Sequence, residues 1–193
     1  MNIGLFGGAS NPPHIGHLVV AESVREQLRL DKVFFVPTAD PPHREDVGRA
    51  TAAARLEMIK LAVQGNAGFD VSDVEIQRPG KSYSIDTVTA FEAFFPKARL
   101  FFLIGSDNLA EFHTWKSPGE ITARCELIVF LRPGFAMGDV KNAYAKEAQL
   151  VNTPHIDISA NEIRRKVKLG RSIRYLVPSA VEEYITKYRL YKE

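Results

Sequence analysis

The chain has 193 residues, of which 45% are hydrophobic and 25% are charged, and its formal net charge is +2. This composition predicts one compact globular domain and excludes a disordered or collagen-like chain. The near balance of 25 basic and 23 acidic residues gives no general electrostatic attraction to nucleic acid or to an anionic membrane. A small basic pocket that binds a phosphate is still compatible with this charge balance.

The sequence lacks a cysteine pair, a signal-peptide pattern and a membrane span, and these features bear on the cellular compartment. A lone cysteine, Cys125, cannot form an intramolecular disulfide, which favours a reducing compartment. Because Cys125 precedes an apolar run, we expect a buried thiol rather than a nucleophile. The N-terminus lacks the pattern of a signal peptide, and no apolar run reaches the roughly 18 residues of a membrane span. We therefore expect a cytoplasmic protein with no membrane partner.

Short apolar runs alternate with longer stretches of helical periodicity. The sequence predicts strands at residues 3–6, 33–36, 69–76, 100–104, 126–131 and 155–158. It predicts helices at residues 14–30, 51–63, 85–95 and, from a weaker pattern, 139–148. Prolines and glycines predict loops at residues 38–50 and 132–138.

This alternation predicts an α/β fold, in which a mainly parallel sheet carries helices on both faces. The runs at residues 33–36, 101–104 and 127–131 are apolar throughout, as expected of strands buried on both faces. We expect one domain over residues 1–193, with a C-terminal helical portion at about 159–193 packed on it. In such a sheet, ligands bind beyond the carboxyl ends of the strands.

The loop after the first strand carries the clearest pattern of a binding site. Gly7 and Gly8 end the strand and let the backbone approach a ligand closely. His14 and His17 share one face near the first turn of the following helix. Helix N–H groups beside two imidazoles form donors that suit phosphate oxygens. The loop is neither a GxGxxG dinucleotide fingerprint nor a Walker loop.

Two alternatives to phosphate binding are open for His14 and His17 at this point. One is that the two side chains cap a turn. The other is that they bind zinc, although no third ligand stands at a usual spacing.

The residues of this loop resemble a known signature. Residues 14–17 read His-Ile-Gly-His and match the HxGH signature of the nucleotidylyltransferase superfamily. Residues 7–17 are similar to the GG-[TS]-F-[DN]-P-x-H-x-G-H box of bacterial nicotinate-nucleotide adenylyltransferases. The chain departs from that box at Ala9, which lacks a hydroxyl but keeps its backbone N–H, and at Ser10, which replaces an aromatic residue. We expect the change at Ser10 to affect packing more than chemistry.

Five later blocks resemble the same family, in the family's order. They are the PPH[KR] loop at 41–44, the SYTxxT segment at 82–87, the IGxDxL…FxxW block at 102–116, the ISSTxIR motif at 158–164 and the tail at 176–185. The six blocks cover nearly the whole chain. The resemblance implies a Rossmann-like, doubly wound fold. It also implies an enzyme of NAD biosynthesis that joins ATP and nicotinate mononucleotide to give deamido-NAD and pyrophosphate.

The resemblance also implies which residues bind the phosphates. His14, His17 and Arg164 are the implied catalytic residues, with the histidines on the α/β-phosphate side and Arg164 on the leaving group. The implied ATP-binding residues are Gly8, Ala9, His43, Arg44, Gly105, Asp107, Ser159 and Arg164. An arginine near a helix start suits β- and γ-phosphates, because its guanidinium is a rigid fork of donors.

Two of these residues have a purely structural alternative. Ser159 stands three residues before Glu162, which is the spacing of a capping box at a helix start. Asp107 precedes a short helical stretch at residues 108–112 and would cap it.

The residues implied for the mononucleotide are Ser84, Thr87, Trp115 and Lys116. Trp115, the only tryptophan, would stack on the pyridine ring, and a place in the core is its alternative. Ser84 stands at the start of a predicted helix, where N–H groups would meet the nicotinate carboxylate. A carboxylate gains more there than a neutral amide, which favours nicotinate over nicotinamide mononucleotide.

The implied partners are ATP and nicotinate mononucleotide, without nucleic acid. Mg²⁺ would be carried by ATP, because no carboxylate cluster in the motifs predicts a protein metal site. A homo-oligomer is compatible with the sequence. The alternatives are another HxGH adenylyltransferase, with phosphopantetheine or nicotinamide mononucleotide as acceptor, and a non-catalytic nucleotide sensor on the same fold. The block at residues 112–116 disfavours the phosphopantetheine enzyme, and the intact histidines and Arg164 disfavour the sensor.

Overall fold

The computed structural model describes residues 1–41, 50–131 and 142–192, and its centre is a six-stranded sheet. The strands are β1 (Asn2–Gly8), β2 (Lys32–Pro37), β3 (Phe69–Val71), β4 (Arg99–Gly105), β5 (Glu126–Phe130) and β6 (Gln149–Val151). Their order is β3-β2-β1-β4-β5-β6, and every neighbouring pair is parallel. The predicted Rossmann-like α/β fold is therefore confirmed.

Helices connect and cover the strands. They are α1 (Ile15–Gln27), α2 (Ala52–Val63), α3 (Val74–Gln77), α4 (Ser84–Phe94), α5 (Ser106–Glu111), α6 (Pro118–Arg124), α7 (Ala160–Lys168) and α8 (Ser179–Lys187). The long helices predicted from periodicity are confirmed to within three residues at each end. At the start of α2, the Thr51 hydroxyl accepts a hydrogen bond from the Ala54 N–H at 3.2 Å, which satisfies a donor that the helix leaves unpaired.

The alternating run at residues 69–76 is not one strand. It pairs with β2 only over β3, and α3 then turns the backbone away, with the Gln77 N–H bound to the Asp73 carbonyl at 3.0 Å. Past β3, the apolar Val74 packs from α3 against the cluster that contains Phe102, and Glu75 beside it is only 5% exposed.

The last predicted strand is also wrong. Residues 155–158 form no strand, and the edge of the sheet is instead β6, which pairs with β5. Of the helix predicted at residues 139–148, the described part holds only a 3-10 turn at Ala143–Lys146. The Asn142 side chain caps that turn by accepting from the Ala145 N–H at 3.2 Å.

Both faces of the sheet are buried, as the apolar runs predict. Successive residues of β4 alternate between two clusters, since Phe102 and Ile104 belong to one, and Phe101 and Leu103 to the other. A third cluster joins α2 to α7 and α8; its buried members are Ala50, Met58, Ile163, Ile173, Val177, Val181 and Ile185. The C-terminal segment thereby lies beside the start of α1, where the Ile15 N–H donates to the Leu176 carbonyl at 2.9 Å.

The strand order creates a crevice where ligands bind in folds of this kind. β1 lies between β2 and β4, so the chain leaves β1 towards one side of the sheet and later returns on the other. Such a reversal opens a crevice beyond the carboxyl ends of the two central strands. Here those ends are Gly7–Gly8 and Ile104–Gly105. Separately, within the described residues, we find no helix that is both long and apolar enough to cross a membrane.

Candidate active site

A cleft at the carboxyl edge of β1 and β4 gathers the residues predicted for phosphate binding. We call it the phosphate cleft, and its lining includes Gly8, Ala9, Asn11, His14, His17, Gly105, Asp107, Ser159, Asn161 and Arg164. The structure therefore brings together every described residue of the predicted ATP-binding set. His43 and Arg44 lie outside the described residues.

The two histidines form a rigid pair at the start of α1. Their rings stack with centroids 3.6 Å apart and an interplanar angle of 18°. The His14 N–H donates to His17 Nδ1 at 3.2 Å, so that nitrogen acts as an acceptor. In the neutral ring the proton then resides on Nε2, which makes Nε2 a hydrogen-bond donor. The capping alternative is confirmed, since the two side chains form a reciprocal capping box at the start of α1, in which His17 Nδ1 accepts from the backbone N–H of His14. Both residues nevertheless line the cleft.

Zinc binding has no further support at this pair. The described residues contain no group of three or more histidine, cysteine, aspartate or glutamate side chains that could hold a metal ion.

Arg164 is fixed against the loop that leads to the histidines. Its Nη1 donates to the Asn11 carbonyl at 2.8 Å, and its Nη2 donates to Asn161 Oδ1. The Ser159 hydroxyl accepts from the Glu162 N–H at 3.2 Å, which confirms Ser159 as the N-cap of α7. The Glu162 carboxylate, however, pairs with Arg165 at 2.8 Å rather than closing a reciprocal capping box. Ser159 therefore starts the helix and still lines the cleft.

The capping alternative for Asp107 is wrong. Helix α5 begins at Ser106 with Gly105 as its N-cap, so Asp107 lies inside the first turn. It lines the phosphate cleft from the end of β4, as the resemblance implies.

A second cavity adjoins the phosphate cleft. We call it the aromatic pocket; it is lined by Gly7, Gly8, Ala9, Thr38, Pro41, Ser82, Tyr83, Ser84, Phe102, Ile104, Asn108, Glu111, Trp115 and Lys116. Trp115 is half-buried in its wall and packs edge-on against Phe102, with ring centroids 6.2 Å apart. The ring is therefore neither a pure core residue nor a free surface residue.

The aromatic pocket faces the start of α4. Ser84 is the first residue of that helix, where the N–H groups lack partners within the helix. The Lys116 ammonium lies 4.4 Å from the Tyr83 ring centroid and 3.7 Å from Asp86 Oδ1. Since Asp86 is an acidic residue of the first turn of α4, Lys116 offsets a negative charge that would otherwise weaken the helix N-terminus as an anion site.

The structure does not place Thr87 in either cavity. Thr87 is only 2% exposed, and its hydroxyl donates to Glu75 Oε1 at 2.7 Å. Burial raises the pKa of the Glu75 carboxyl, while the Thr87 hydrogen bond and the nearby Arg78 lower it less strongly. Arg78 in turn lies 3.4 Å from the Tyr83 carbonyl oxygen. Thr87 thus contacts Glu75 behind the start of α4 and lines neither cavity.

Arg55 of α2 is a site-supporting residue that the sequence patterns do not single out. It is only 2% exposed and donates to the carbonyls of Ala9 at 2.9 Å, Ala39 at 3.4 Å and Ala50 at 3.2 Å. One guanidinium therefore ties the loops after β1 and β2 to the start of α2. The only signal in the sequence is a charged residue on the apolar side of an otherwise regular helix.

The fold and the site define a protein of the cytidylyltransferase-like class, whose family model matches residues 5–166. A probable nicotinate-nucleotide adenylyltransferase of Pelobacter propionicus is 44% identical, over 100% of this chain and 99% of the relative. One of Salinibacter ruber is 41% identical, over 100% of this chain and 98% of the relative. The chain belongs to the nicotinate-nucleotide adenylyltransferase family, as its sequence blocks predict.

Solved structures agree on the fold. The nicotinic acid mononucleotide adenylyltransferase of Plasmodium falciparum complexed with NaAD superimposes with a TM-score of 0.80 at 19% identity, covering 98% of this chain and 97% of its own. The same enzyme complexed with APC gives a TM-score of 0.79 at 17% identity, covering 98% and 96%. At these identities the likeness establishes the shared architecture.

Proposed function

We propose that this protein transfers the adenylyl group of ATP to nicotinate mononucleotide and releases pyrophosphate. The product is nicotinate adenine dinucleotide, or deamido-NAD. Membership of the family supports the reaction, and the two cavities support how this chain performs it.

One observation carries the proposal: the phosphate cleft and the aromatic pocket share a wall. Gly7, Gly8, Ala9, Ile104 and Asn108 line both cavities. A nucleoside triphosphate in the phosphate cleft and a pyridine mononucleotide in the aromatic pocket would therefore meet at the ends of β1 and β4. Adenylyl transfer needs this arrangement, because it converts a bimolecular encounter into a reaction between positioned groups.

The chemistry then needs no protein nucleophile. A phosphate oxygen of the mononucleotide attacks the α-phosphorus of ATP, and the bond from that phosphorus to the bridging oxygen of the β-phosphate breaks. The attacking phosphate is already anionic at neutral pH, so no general base is required. His17 Nε2–H and the Gly8 and Ala9 N–H groups would donate to the α-phosphate as charge develops. His14 would hold the ring of His17 and donate on the same side, and Arg164 with Ser159 would bind the leaving pyrophosphate.

We infer that Mg²⁺ enters with ATP as part of the substrate. The ion would neutralise charge on the phosphates, and the protein would supply donors rather than carboxylate ligands. Gly105 and Asp107 would contact the adenosine. His43 and Arg44 would close over the triphosphate from their loop.

The aromatic pocket provides a reason for selecting the acid over the amide. The nicotinate carboxylate would accept from the N–H groups at the start of α4, beside Ser84, with the Lys116 ammonium close by. Trp115 would stack on the pyridine ring. A neutral nicotinamide keeps the stacking and loses the charge-assisted part of the binding.

Pyrophosphate release from MgATP with a panel of acceptors tests the proposal. We expect kcat/KM for nicotinate mononucleotide to exceed that for nicotinamide mononucleotide by about tenfold or more, with no turnover of phosphopantetheine. Equal efficiency with both mononucleotides would refute the carboxylate argument. Turnover of phosphopantetheine alone would identify another adenylyltransferase, and no release with any acceptor would favour a nucleotide sensor.

A matched pair of lysine variants locates the preference in the aromatic pocket. Lys116→Met should reduce the ratio of the two kcat/KM values, because it removes the ammonium from the pocket. Lys97→Met removes an exposed lysine that lines neither cavity and should leave the ratio unchanged. The same loss in both variants would mean that net charge, rather than position, sets the preference.

A further inference from the structure

The end of the chain reaches back to the loop that carries the histidines. The Tyr191 hydroxyl donates to Asn11 Oδ1 at 2.7 Å, across 180 residues of sequence. Two other C-terminal residues hold the same loop, since Arg164 donates to the Asn11 carbonyl and Leu176 accepts from the Ile15 N–H. Three hydrogen bonds thus join Asn11 and Ile15, at the loop before α1 and at its first residue, to the C-terminal part of the chain.

Asn11 is the centre of these contacts. It is only 3% exposed, and its Oδ1 accepts both from Tyr191 and from the Ala50 N–H at 3.1 Å. Two donors on one oxygen fix the plane of the amide. Its Nδ2 is buried and has no hydrogen-bond partner within the described chain, so these two donors carry the polar anchoring of the side chain.

Tyr191 is itself held in place. Its side chain packs against the third cluster. Its backbone has a φ of +64°, in the left-handed region that an ordinary residue adopts only when its surroundings hold it there. Burial raises the pKa of the phenol, which keeps the hydroxyl protonated and able to donate at neutral pH.

We propose that Tyr191 is a positioning residue for catalysis, which acts through Asn11 on the placement of Arg164 and of the histidine pair. The inference rests on the proposed function, because it assumes that Arg164 and His17 contact the reacting phosphates. Tyr191 touches no substrate. It holds the side chain of Asn11, the residue whose backbone carbonyl accepts the hydrogen bond from Arg164 Nη1.

The position of this contact predicts which kinetic constant changes. Asn11 and Arg164 line the phosphate cleft and not the aromatic pocket. Loosening Asn11 therefore displaces groups around the transferring phosphates and leaves the mononucleotide pocket intact. The effect should appear in kcat with MgATP and spare the KM for nicotinate mononucleotide.

Tyr191→Phe is the direct test, because it removes one hydroxyl and keeps the ring. We expect kcat to fall by about tenfold, the upper range for one buried hydrogen bond, with the KM for nicotinate mononucleotide within about twofold of wild type. Tyr188→Phe is the matched control. Tyr188 is 53% exposed, meets the Tyr184 ring at an angle of 43° and lines neither cavity, and its variant should keep wild-type kcat.

A double-mutant cycle with Asn11→Ala shows whether the two residues act together. If Tyr191 acts through Asn11, the double variant should be no slower than Asn11→Ala alone. If Tyr191→Phe does not fold, Asn11→Ala gives a comparison of kcat and KM from the other end of the hydrogen bond, and it also removes the acceptor of the Ala50 N–H.

The outcomes separate this inference from the proposed function. Wild-type kcat in a folded Tyr191→Phe variant, with or without a lower melting temperature, would overturn the positioning role and leave the function standing. Additive losses in the double-mutant cycle would also overturn it. A wild-type protein that forms no pyrophosphate from ATP and nicotinate mononucleotide would refute the proposed function itself.

Discussion

Replacing Gly16 with alanine should separate the activity of this protein from its stability. Gly16 is buried and is the second residue of α1, where the helical backbone accepts any L-residue. Because glycine is a poor helix former, the exchange by itself stabilises the helix by up to about 1 kcal/mol.

The added methyl group meets the histidine pair. An ideal Cβ at position 16 would lie 3.1 Å from His14 Nδ1 and 3.2 Å from His14 Cε1, whereas ordinary contacts of this kind are about 3.5–4.0 Å. The His14 ring must therefore move by a few tenths of an ångström, and its stacking on His17 passes the shift on. A 1 Å misplacement costs about 10²-fold in rate, so roughly a third of that shift costs about fivefold.

The assay compares kcat at saturating MgATP and nicotinate mononucleotide with the melting temperature. Gly16→Ala should lose about fivefold in kcat while its melting temperature stays level or rises. Gly119→Ala is the control, because Gly119 is also the second residue of a helix and its Cβ would stand 3.8 Å from Tyr144 Oη, an ordinary contact. Wild-type kcat in Gly16→Ala would refute the role given to the His14 ring. A marked drop in melting temperature would show that the clash outweighs the helix propensity.

Two further substitutions test the aromatic pocket and its support. Trp115→Ala should raise the KM for nicotinate mononucleotide about tenfold with little change in kcat, since it removes a stacking surface; an unchanged KM would assign the ring to the core. Glu75→Gln should flatten the pH dependence of stability measured by urea unfolding. Burial raises the pKa of Glu75 above 4.5, so the native state binds its proton more tightly, and wild-type stability falls as pH rises from about 4.5 through the raised value. The Gln variant keeps an acceptor for Thr87, and its free energy of unfolding should therefore rise relative to that of wild type over that pH range. Parallel pH profiles for the two proteins would contradict a raised pKa of Glu75.

The sequence predicts the middle of the fold well, because the physical signals there are local. The apolar runs of β2, β4 and β5 are buried on both faces, and an uninterrupted run of this kind has few other uses in a protein of this size. The longer helices have periodic apolar faces and recognisable starts, such as Thr51 before α2.

The edges of the sheet escape prediction because their signals are not local. β6 has exposed residues at Gln149 and Leu150, so its sequence carries little hydrophobic pattern, and only its pairing with β5 makes it a strand. At the other edge, the apolar alternation continues past β3 at Val74 because that residue packs from α3. The local pattern does not mark Glu75 beside it, whose buried carboxylate accepts from Thr87 on α4.

The residues of the candidate site also fall into those that local sequence signals predict and those that they do not. Its ligand-facing residues follow strand ends and helix starts, which the topology brings together, so the motifs predict them. Arg55, Glu75 and Tyr191 act on main-chain or buried side-chain groups far away along the chain, and no spacing rule relates Tyr191 to Asn11. Thr87 shows the converse, since this residue of a motif is buried against Glu75 and lines neither cavity.

The backbone explains how a chain with a near-neutral composition can form an anion site. Helices α1, α4 and α7 begin at Ile15, Ser84 and Ala160, and all three starts lie at the two cavities. At each start the helix leaves N–H groups without partners of its own, although the Ile15 and Glu162 N–H groups are taken by Leu176 and Ser159. The positive end of the helix dipole, equivalent to about half a unit charge, also lies there. None of this appears in the formal charge of +2. A cleft built from oriented backbone can therefore attract phosphates and a carboxylate without adding to the net charge, which is why a near-neutral composition does not exclude a polyphosphate site.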